Sequence, residues 1–551
     1  MRHGGQILID QLREEGCGMA FCVPGESYLA ALDGLYGQND IRTIVCRQEG
    51  GAAMMADAYG KITGRPGVAF VTRGPGATNA SIGVHIARQD STPMILFVGQ
   101  AARGMLGREA FQEVDFPAMF SPLAKWAAEI SDTDRIPEYV SRAVHTSMSG
   151  RPGPVVLSLP EDMLSASVDV ANVPASPIAE AHPGDEAMKA VATALKNAKR
   201  PLIIAGGPGW SQQVRDDLTA FVEAWNLPLC VMFRGQYSID NRHPNYVGLA
   251  GIGIDPALGQ RIKSADLILA LGPRLGEITT GGYTLLTPPA PAQKLIHVNP
   301  GAEELNSVYR ADIPVVSSIG AFTARLRELE PPASIPWNEE TAQARADYEA
   351  FTEPRETPGD VKFEQIVTHV SSALPDDGVI TNGAGNYSSF IHRYTQYKGY
   401  RSQVATTSGT MGYGLPAAIA AKLTAPERKV VCYAGDGCFL MNGQELSTAV
   451  RYKLPIVIIV VNNGMYGTIR MHQERDYPGR VSGTDLENPD FAAYARSFGA
   501  NAETILKTED FPGVFDAALN ADKPTLIELK TDPDAITPTS TLEQIRSAAL
   551  N

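Results

Sequence analysis

Short, continuous apolar runs alternate with longer amphipathic segments along almost the whole chain. The apolar runs lie at 20–23, 43–46, 67–71, 94–98, 153–159, 201–207, 267–271, 295–298, 379–381, 430–434 and 455–461. Within each run apolar and polar residues do not alternate, as they do in half-buried strands, so both faces of each predicted strand are covered. Strands of this type, separated by helices, predict parallel sheets with helices on both sides.

Two polar stretches rich in proline divide this pattern into three blocks. They lie at 173–184 and 330–360 and are typical of exposed linkers. A chain of 551 residues is also too long for one hydrophobic core. We therefore predict an α/β fold of three doubly wound parallel-sheet domains, at 1–170, 185–330 and 360–540.

The third block carries the most specific pattern in the chain. One predicted strand ends at Gly435-Asp436-Gly437, and after 24 further residues comes Asn462-Asn463, at the end of the next. The segment between them has helical character, and a right-handed strand–helix–strand crossover puts both strand ends on the same sheet edge. We expect the aspartate and an asparagine to meet there, beside glycines that let backbone N–H groups approach a ligand. Hard oxygen ligands with open positions suit Mg²⁺ holding a diphosphate.

Composition narrows the possible partners and location. The net charge of −14 argues against a nucleic-acid partner, because phosphate binding needs a basic face. The six cysteines form no Cys-x-x-Cys pair and the nine histidines lack zinc-ligand spacing, so we expect reduced thiols and a cytoplasmic protein. No apolar run reaches the ~20 residues that span a bilayer, and we expect neither a signal peptide nor a membrane partner.

The motif of the third block resembles that of thiamine diphosphate-dependent enzymes, in which Gly-Asp-Gly leads to a terminal asparagine. The resemblance implies that Asp436, Asn463 and the backbone carbonyl of Met465 bind Mg²⁺. It also implies cofactor contacts from Gly435, Gly437, Cys438, Asn463 and Gly467. A diphosphate carries about three negative charges, so its place beside Asp436 requires a divalent cation between them.

Two more segments of the third block resemble cofactor-binding segments of this family. Gly409-Thr410-Met411-Gly412 resembles the segment that supports the bent cofactor. The resemblance implies that Met411 lies under the two rings and that the Gly409 carbonyl accepts from the 4′-amino group. The segment 382–387 resembles the loop on the diphosphate side, which makes Asn386 and Tyr387 cofactor contacts.

Thiamine chemistry also needs a carboxyl group beside the aminopyrimidine ring. Arg47-Gln48-Glu49-Gly50-Gly51 presents a glutamate between a predicted strand and a predicted helix, and it resembles the activating-glutamate motif of the family. In the family this glutamate hydrogen-bonds N1′ and favours the imino tautomer, whose nitrogen removes the C2 proton. A helix-start glutamate is also favoured by the helix dipole alone. Because 56–67 and 73–79 match the first domain of the family too, we assign the catalytic role to Glu49.

Within the family, the general match is to acetohydroxyacid (acetolactate) synthase-like enzymes, and it covers nearly the whole chain. Gly25, Gln112 and Lys125 occupy positions where that group has active-site residues, and we take Gly25 and Gln112 as catalytic. The His-His pair that pyruvate decarboxylase-like enzymes use as a proton relay is missing from the first domain. The resemblance therefore implies decarboxylation of a pyruvate-like 2-oxo acid and carboligation of the resulting carbanion to a second carbonyl. It also implies a homodimer or homotetramer with active sites at the subunit interface.

Two departures from that group keep other reactions open. Ile278 stands where the synthases place an arginine for the carboxylate of the second substrate, and His472 stands where they place a tryptophan. Arg470 is either a partner for an acidic substrate or a solvated surface charge. The alternatives are a simple 2-oxo acid decarboxylase, a benzaldehyde lyase-like acyloin lyase or ligase, and a sulfoacetaldehyde or acyl-CoA type enzyme of the same family.

The central block leaves a second cofactor open. Its Gly-rich loop at 206–209 and Arg274 lie where the synthases hold FAD, but a lone Gly-rich loop is weak evidence, so FAD is possible and not favoured. A flavin- or nicotinamide-dependent oxidoreductase lacks support, because no Gly-x-Gly-x-x-Gly follows a strand with an acidic residue about 20 positions on. A non-catalytic binding protein on this fold is disfavoured by the joint presence of Glu49, Asp436 and Asn463.

Overall fold

Three six-stranded sheets form the frame of the protein. The computed structural model describes residues 1–550, and neighbouring strands within each six-stranded sheet are parallel. In spatial order the first sheet contains Arg42–Val45, Met19–Cys22, Gly67–Val71, Met94–Gln100, Pro154–Pro160 and Trp126–Glu129. The second contains Tyr246–Ala250, Leu229–Met232, Pro201–Ala205, Leu267–Leu271, Lys294–Asn299 and Ile313–Val316. The third contains Gln403–Ala405, Val379–Asn382, Val430–Gly435, Val457–Asn462, Thr525–Lys530 and Asn501–Ile505. Arg2–His3 and Ser167–Val168 form a separate antiparallel pair.

Helices connect the strands of each sheet. Those of the first domain are Gly4–Glu14, Leu29–Leu35, Glu49–Thr63, Gly74–Asp90, Phe116–Phe120, Ile136–Met148 and Glu161–Ser165. Those that accompany the central sheet are Asp185–Asn197, Gln212–Trp225, Pro256–Ser264, Ile319–Arg327 and Asn338–Thr352. The last sheet is accompanied by Phe363–Ala373, Tyr387–Tyr394, Gly414–Thr424, Asp436–Leu440, Leu446–Arg451, Gly467–Asp476, Phe491–Ser497, Phe511–Leu519 and Leu542–Leu550.

Both faces of the sheets are covered, as the continuous apolar runs predict. In the strand Met19–Cys22, Ala20 belongs to one hydrophobic core while Phe21 belongs to another. In the strand Pro201–Ala205, Leu202 and Ile203 are divided in the same way between two cores. Successive side chains of a strand point to opposite faces, so each sheet lies between two apolar layers. The predicted class of three doubly wound parallel-sheet domains is confirmed.

The first and last sheets share one topology, and the central sheet has another. Numbered along the chain, the strands of the first and last sheets lie in the order 2-1-3-4-6-5. Those of the central sheet lie in the order 3-2-1-4-5-6, which is typical of dinucleotide-binding domains. In both orders the chain changes direction across the sheet beside its first strand, and ligands bind at the carboxyl ends of the strands near that point.

The first and last domains of the chain share a hydrophobic core. The helix Glu49–Thr63 packs against the helix Gly414–Thr424, and their buried residues belong to a single cluster. Both helices are rich in small residues on the buried side, including Ala53 and Ala417. Because small side chains let helix backbones approach closely, the two domains pack directly against each other.

Candidate active site

A cavity of about 360 Å³ opens at the carboxyl ends of the strands of the last sheet. It lies at the edge where Val430–Gly435 and Val457–Asn462, neighbours in parallel register, both end. All eleven residues of the last domain that were predicted to contact the cofactor or the metal line this one cavity: Asn386, Tyr387, Gly409, Met411, Gly435, Asp436, Gly437, Cys438, Asn463, Met465 and Gly467. The two halves of the motif therefore meet at the sheet edge to which the crossover brings both strand ends.

Asp436 is the buried carboxylate of the cavity, with a relative exposure of 3%. Its Oδ2 accepts hydrogen bonds from the Gly464 N–H at 2.9 Å and from the side-chain amide of Asn488 at 2.8 Å. Burial raises the pKa of the Asp436 carboxyl, while the N–H donors around it oppose that shift. A buried carboxylate held by neutral donors only is a group that a cation stabilises further.

The two asparagines at the end of the neighbouring strand have different partners. The side-chain amide of Asn462 donates to Glu528 at 2.7 Å, across the sheet. Asn463 comes after the last strand residue and lines the cavity, and its Oδ1 accepts from the Met465 N–H at 3.3 Å. The turn from Asn463 to Met465 passes through Gly464, whose φ of 68° favours glycine. The Asn462 side-chain oxygen shares the Gly464 N–H and the Asn488 amide with Asp436, whereas Asn463 is the member of the pair that lines the cavity together with Asp436.

The loop after the first strand of the last sheet closes another side of the cavity. Asn386 accepts a hydrogen bond from the Thr468 hydroxyl at 2.9 Å, which joins this loop to the helix Gly467–Asp476. The Tyr387 hydroxyl donates to the Cys438 sulfur at 3.5 Å. These two hydrogen bonds connect the loop to the helix Gly467–Asp476 and to the glycine motif, and all three segments line the cavity.

Gly409 and Met411 stand on a further loop at the mouth of the cavity. A Cβ atom added to Gly409 would meet nothing within 4 Å, and its φ is 63°. Met411 is half-buried and packs against the core shared by the first and last domains. The Gly412 N–H donates to the Cys438 sulfur at 3.2 Å, which fixes this loop to the glycine motif. The loop offers a flexible apolar side chain next to an open backbone.

The catalytic candidates of the first domain form a second group, around the segment 72–76. Gly25 abuts Thr72, the first residue of that segment. A Cβ atom added to Gly25 would lie 2.6 Å from the Thr72 Cβ. The backbone carbonyl of Gln112 accepts from the Gly74 N–H at 3.0 Å. The Glu49 side chain lies against Gly76. The Glu49 carboxylate accepts from the side-chain amide of Asn79 at 2.9 Å. None of these residues is among those that line the cavity of the last domain within residues 1–550.

Glu445 connects the two groups within one chain. It follows the glycine motif and is buried, and its Oε1 accepts the backbone N–H groups of Arg47 and Gln48, both at 2.9 Å. Its Oε2 accepts from the Thr448 hydroxyl at 2.6 Å. The last domain therefore supports the backbone that presents Glu49.

Several candidates lie away from both groups. Lys125 stands at the amino end of its strand, the edge opposite Glu49, and donates to the Ser149 carbonyl at 2.7 Å. Burial lowers the pKa of Lys125 to about 8. Arg470 forms ion pairs with Glu474 at 3.3 Å and with Asp485 at 3.1 Å, so its charge is already satisfied within the chain. Within this chain Lys125 therefore lies away from Glu49, and the ion-pair partners of Arg470 are carboxylates of the same chain.

The central domain has backbone contacts where a dinucleotide would bind. An added Cβ at Gly207 would lie 2.1 Å from the Gly272 carbonyl oxygen, so the loops at the direction change touch each other. The Trp210 indole is buried there and donates to the Gly206 carbonyl at 3.0 Å. Arg274 is paired with Glu304 at 3.2 Å. These contacts bring the two loops together at the direction change of the sheet.

Residues 1–550 contain neither a cluster of typical metal-ligating side chains nor a helix that could span a membrane. No cluster of three or more histidine, cysteine, aspartate or glutamate side chains is placed to hold a metal ion. In the same range, no helix is both long and apolar enough to cross a membrane. A cation in the cavity of the last domain would therefore depend on Asp436, an amide and a carbonyl.

Sequence comparisons agree with this architecture domain by domain. The family descriptions that match are the thiamine pyrophosphate enzyme N-terminal TPP binding domain at 2–119, the central domain at 188–326 and the C-terminal TPP binding domain at 383–529. The acetolactate synthase large subunit of Parasynechococcus marenigrum is 32% identical over 96% of this chain and 87% of its own length. The acetolactate synthase isozyme 2 large subunit of Escherichia coli is 31% identical over 96% of both chains. A probable acetolactate synthase large subunit of Methanocaldococcus jannaschii is 31% identical over 96% of this chain and 92% of its own.

Sequence similarity along nearly the full length, the three matched domains and the cavity between the two parts of the motif lead to one conclusion. The chain belongs to the thiamine pyrophosphate enzyme family.

Proposed function

We propose that this enzyme decarboxylates a pyruvate-like 2-oxo acid and joins the remaining carbon unit to a second carbonyl, as the name of its acetolactate synthase relatives indicates. The observation that carries the proposal is the single cavity lined by all eleven predicted residues of the last domain. When bound, thiamine diphosphate supplies a thiazolium carbon that adds to the substrate carbonyl and accepts the electrons released with carbon dioxide.

Mg²⁺ would be held by the carboxylate of Asp436, the side-chain oxygen of Asn463 and the carbonyl of Met465. The fit rests on the donor set, because Mg²⁺ prefers oxygen ligands and keeps positions open for phosphate and water. The buried Asp436 carboxylate has only neutral hydrogen-bond partners, which leaves its charge for a cation. Asn386, Tyr387 and the glycines of the motif would surround the diphosphate.

The remaining roles belong to this chain's own side chains. Met411, half-buried and packed against the core, would support the cofactor rings. Glu49 would hold a proton at N1′ of the aminopyrimidine, while Asn79 keeps its carboxylate oriented. Gly25 and Gln112 would contact the substrate, and Gly25, which has no side chain, would leave room for it. Both residues stand beside the same segment, 72–76, as Glu49 does.

The active site would be completed by a second copy of the chain. The group around Glu49 does not line the cavity of its own chain, so the two groups would meet across a subunit interface. A homodimer is the minimum, and a homotetramer would contain two such pairs. Reduced, unpaired cysteines at all six positions support a cytoplasmic enzyme.

Mixed oligomers test this shared site directly. Glu49→Gln and Asp436→Asn chains, each inactive alone, would together recover about a quarter of wild-type activity, because half of randomly paired dimers carry one intact site of two. If each site came from one chain, every site in the mixture would carry a substitution and no activity would return. The unmixed variants are the controls.

Product analysis tests the reaction. Incubation with pyruvate, thiamine diphosphate and Mg²⁺ is expected to give acetolactate, assayed together with acetaldehyde and acetoin. Ile278 and His472 stand where the synthases have an arginine and a tryptophan, so the second, carboligation step needs its own test. If acetaldehyde were the only product, the reaction would be a simple decarboxylation and the proposal would be wrong. The contacts between the central loops further predict that the purified protein lacks a flavin absorption spectrum; a bound flavin would overturn that expectation.

A further inference from the structure

Arg234 is a buried arginine of the central domain that reaches the cofactor domain. It follows the strand Leu229–Met232, and its relative exposure is 7%. Its φ of 68° lies in the left-handed region, which a non-glycine residue occupies only where its surroundings hold it there. The residue lines the same cavity as Asp436 and Met411.

The guanidinium of Arg234 contacts both loops that the first two strands of the last sheet send into the cavity. It donates to the Asn382 side chain at 3.0 Å and to the Gly383 carbonyl at 3.2 Å, where the diphosphate-side loop begins. It donates to the Thr406 carbonyl at 3.2 Å, at the start of the loop that carries Met411. One planar, rigid group thus fixes the starting points of two loops.

The positive charge of Arg234 has no carboxylate partner among residues 1–550. Its hydrogen-bond partners are two carbonyls, one amide oxygen and the Nε2 of His392 at 2.6 Å, and all of these are neutral acceptors. His392 must be neutral to accept, and burial together with the arginine charge keeps its pKa well below the ordinary value. A buried cation without a counter-charge favours an anion that arrives beside it.

We propose that Arg234 is a positioning residue for thiamine diphosphate, which clamps the two cofactor loops and supplies the positive charge that the bound diphosphate balances. This inference rests on the proposed cofactor site. It assigns to the central domain a part in cofactor binding that needs no nucleotide in that domain.

Binding of thiamine diphosphate to the full-length apoprotein, measured by calorimetry at fixed Mg²⁺, tests the proposal. Arg234→Met is expected to raise the Kd by at least about tenfold, because it removes both the clamp and the charge. Arg234→Lys retains the charge without the planar four-way contact and is expected to fall between the wild type and Arg234→Met. Unfolding midpoints of the apoproteins show whether each variant is folded.

Arg215→Met is the matched control. Arg215 is also a buried central-domain arginine that donates to the last domain, at the carbonyl of Lys398, but it does not line the cavity. Its removal is expected to leave the Kd within about twofold of the wild type.

The outcomes separate the claims. A Kd for folded Arg234→Met within twofold of the wild type would overturn the proposal, and equal weakening by Lys and Met would overturn the part played by charge. If Arg234→Met does not fold, an unchanged Kd for Arg234→Lys would refute the clamp. Failure of the wild type itself to bind would instead contradict the proposed cofactor site.

Discussion

Removing the Glu445 carboxylate is expected to loosen the backbone that carries Glu49. Glu445 accepts the N–H groups of Arg47 and Gln48 on one oxygen, both at 2.9 Å, and the Thr448 hydroxyl on the other. Glu445→Ala leaves the two backbone donors without that acceptor. Because Glu445 is fully buried, the acceptor is removed from a site that is shielded from solvent.

The size of the effect follows from the number of donors left unpaired. Each buried donor without a partner costs about 1–3 kcal/mol, so two cost about 2–6 kcal/mol, and water entering the vacated space lowers the sum to about 2–4 kcal/mol. Glu445→Gln is the matched variant, because its oxygen keeps both backbone donors and its amide can donate to the Thr448 hydroxyl. We expect it to lose less than about 1 kcal/mol.

Hydrogen exchange read by mass spectrometry is the sharpest assay, because it reports the two amides themselves. In Glu445→Ala, peptides that contain Arg47 and Gln48 are expected to exchange about 30-fold faster or more, the factor that corresponds to 2 kcal/mol of local opening. In Glu445→Gln they are expected to remain close to the wild type. Unchanged exchange in a folded Glu445→Ala protein would refute the reasoning, since the two hydrogen bonds would then contribute nothing.

Three other predictions concern charged groups. Asp436→Asn is expected to weaken Mg²⁺-dependent binding of thiamine diphosphate by at least about 100-fold in calorimetry. Binding as tight as in the wild type, and still abolished by a chelator, would contradict this expectation. Because burial raises the pKa of Glu445 above its ordinary 4.5, the native state binds that proton more tightly than the unfolded chain does. The wild type is therefore expected to lose stability relative to Glu445→Gln in denaturant titrations as the pH rises above 4.5, and a constant difference would speak against it. Lys61 pairs with the buried carboxylates of Asp57 and Asp90, so Lys61→Met is expected to cost about 3–5 kcal/mol in the same titrations; a loss below about 1 kcal/mol would show that the carboxylates find other partners.

The sequence predicts the centre of each sheet better than its borders. The strands Val430–Gly435 and Val457–Asn462 are buried on both faces and appear as continuous apolar runs. Edge strands such as Trp126–Glu129 and Asn501–Ile505 are short and partly exposed, so their patterns lack that signal. They form because a neighbouring strand offers its hydrogen-bonding groups, which is a property of the fold and not of the local sequence.

The candidate site divides in the same way. Asp436 and Asn463 were predictable because one crossover joins them, and a crossover fixes where its two strand ends meet. Arg234 and Glu445 contact residues 148 and 398 positions away, at Asn382 and Arg47, and neither contact follows from a periodic pattern or a short motif. Such contacts depend on how whole domains pack, and a single sequence carries no direct record of that packing.

Exchange of the C2 proton of bound thiamine diphosphate, followed by NMR in deuterated solvent, tests most directly whether the groups around Glu49 and Asp436 form one active site. The account predicts exchange in the wild type far faster than for the free cofactor, and loss of that acceleration in Glu49→Gln while the cofactor remains bound. Acceleration that survives in Glu49→Gln would contradict the account.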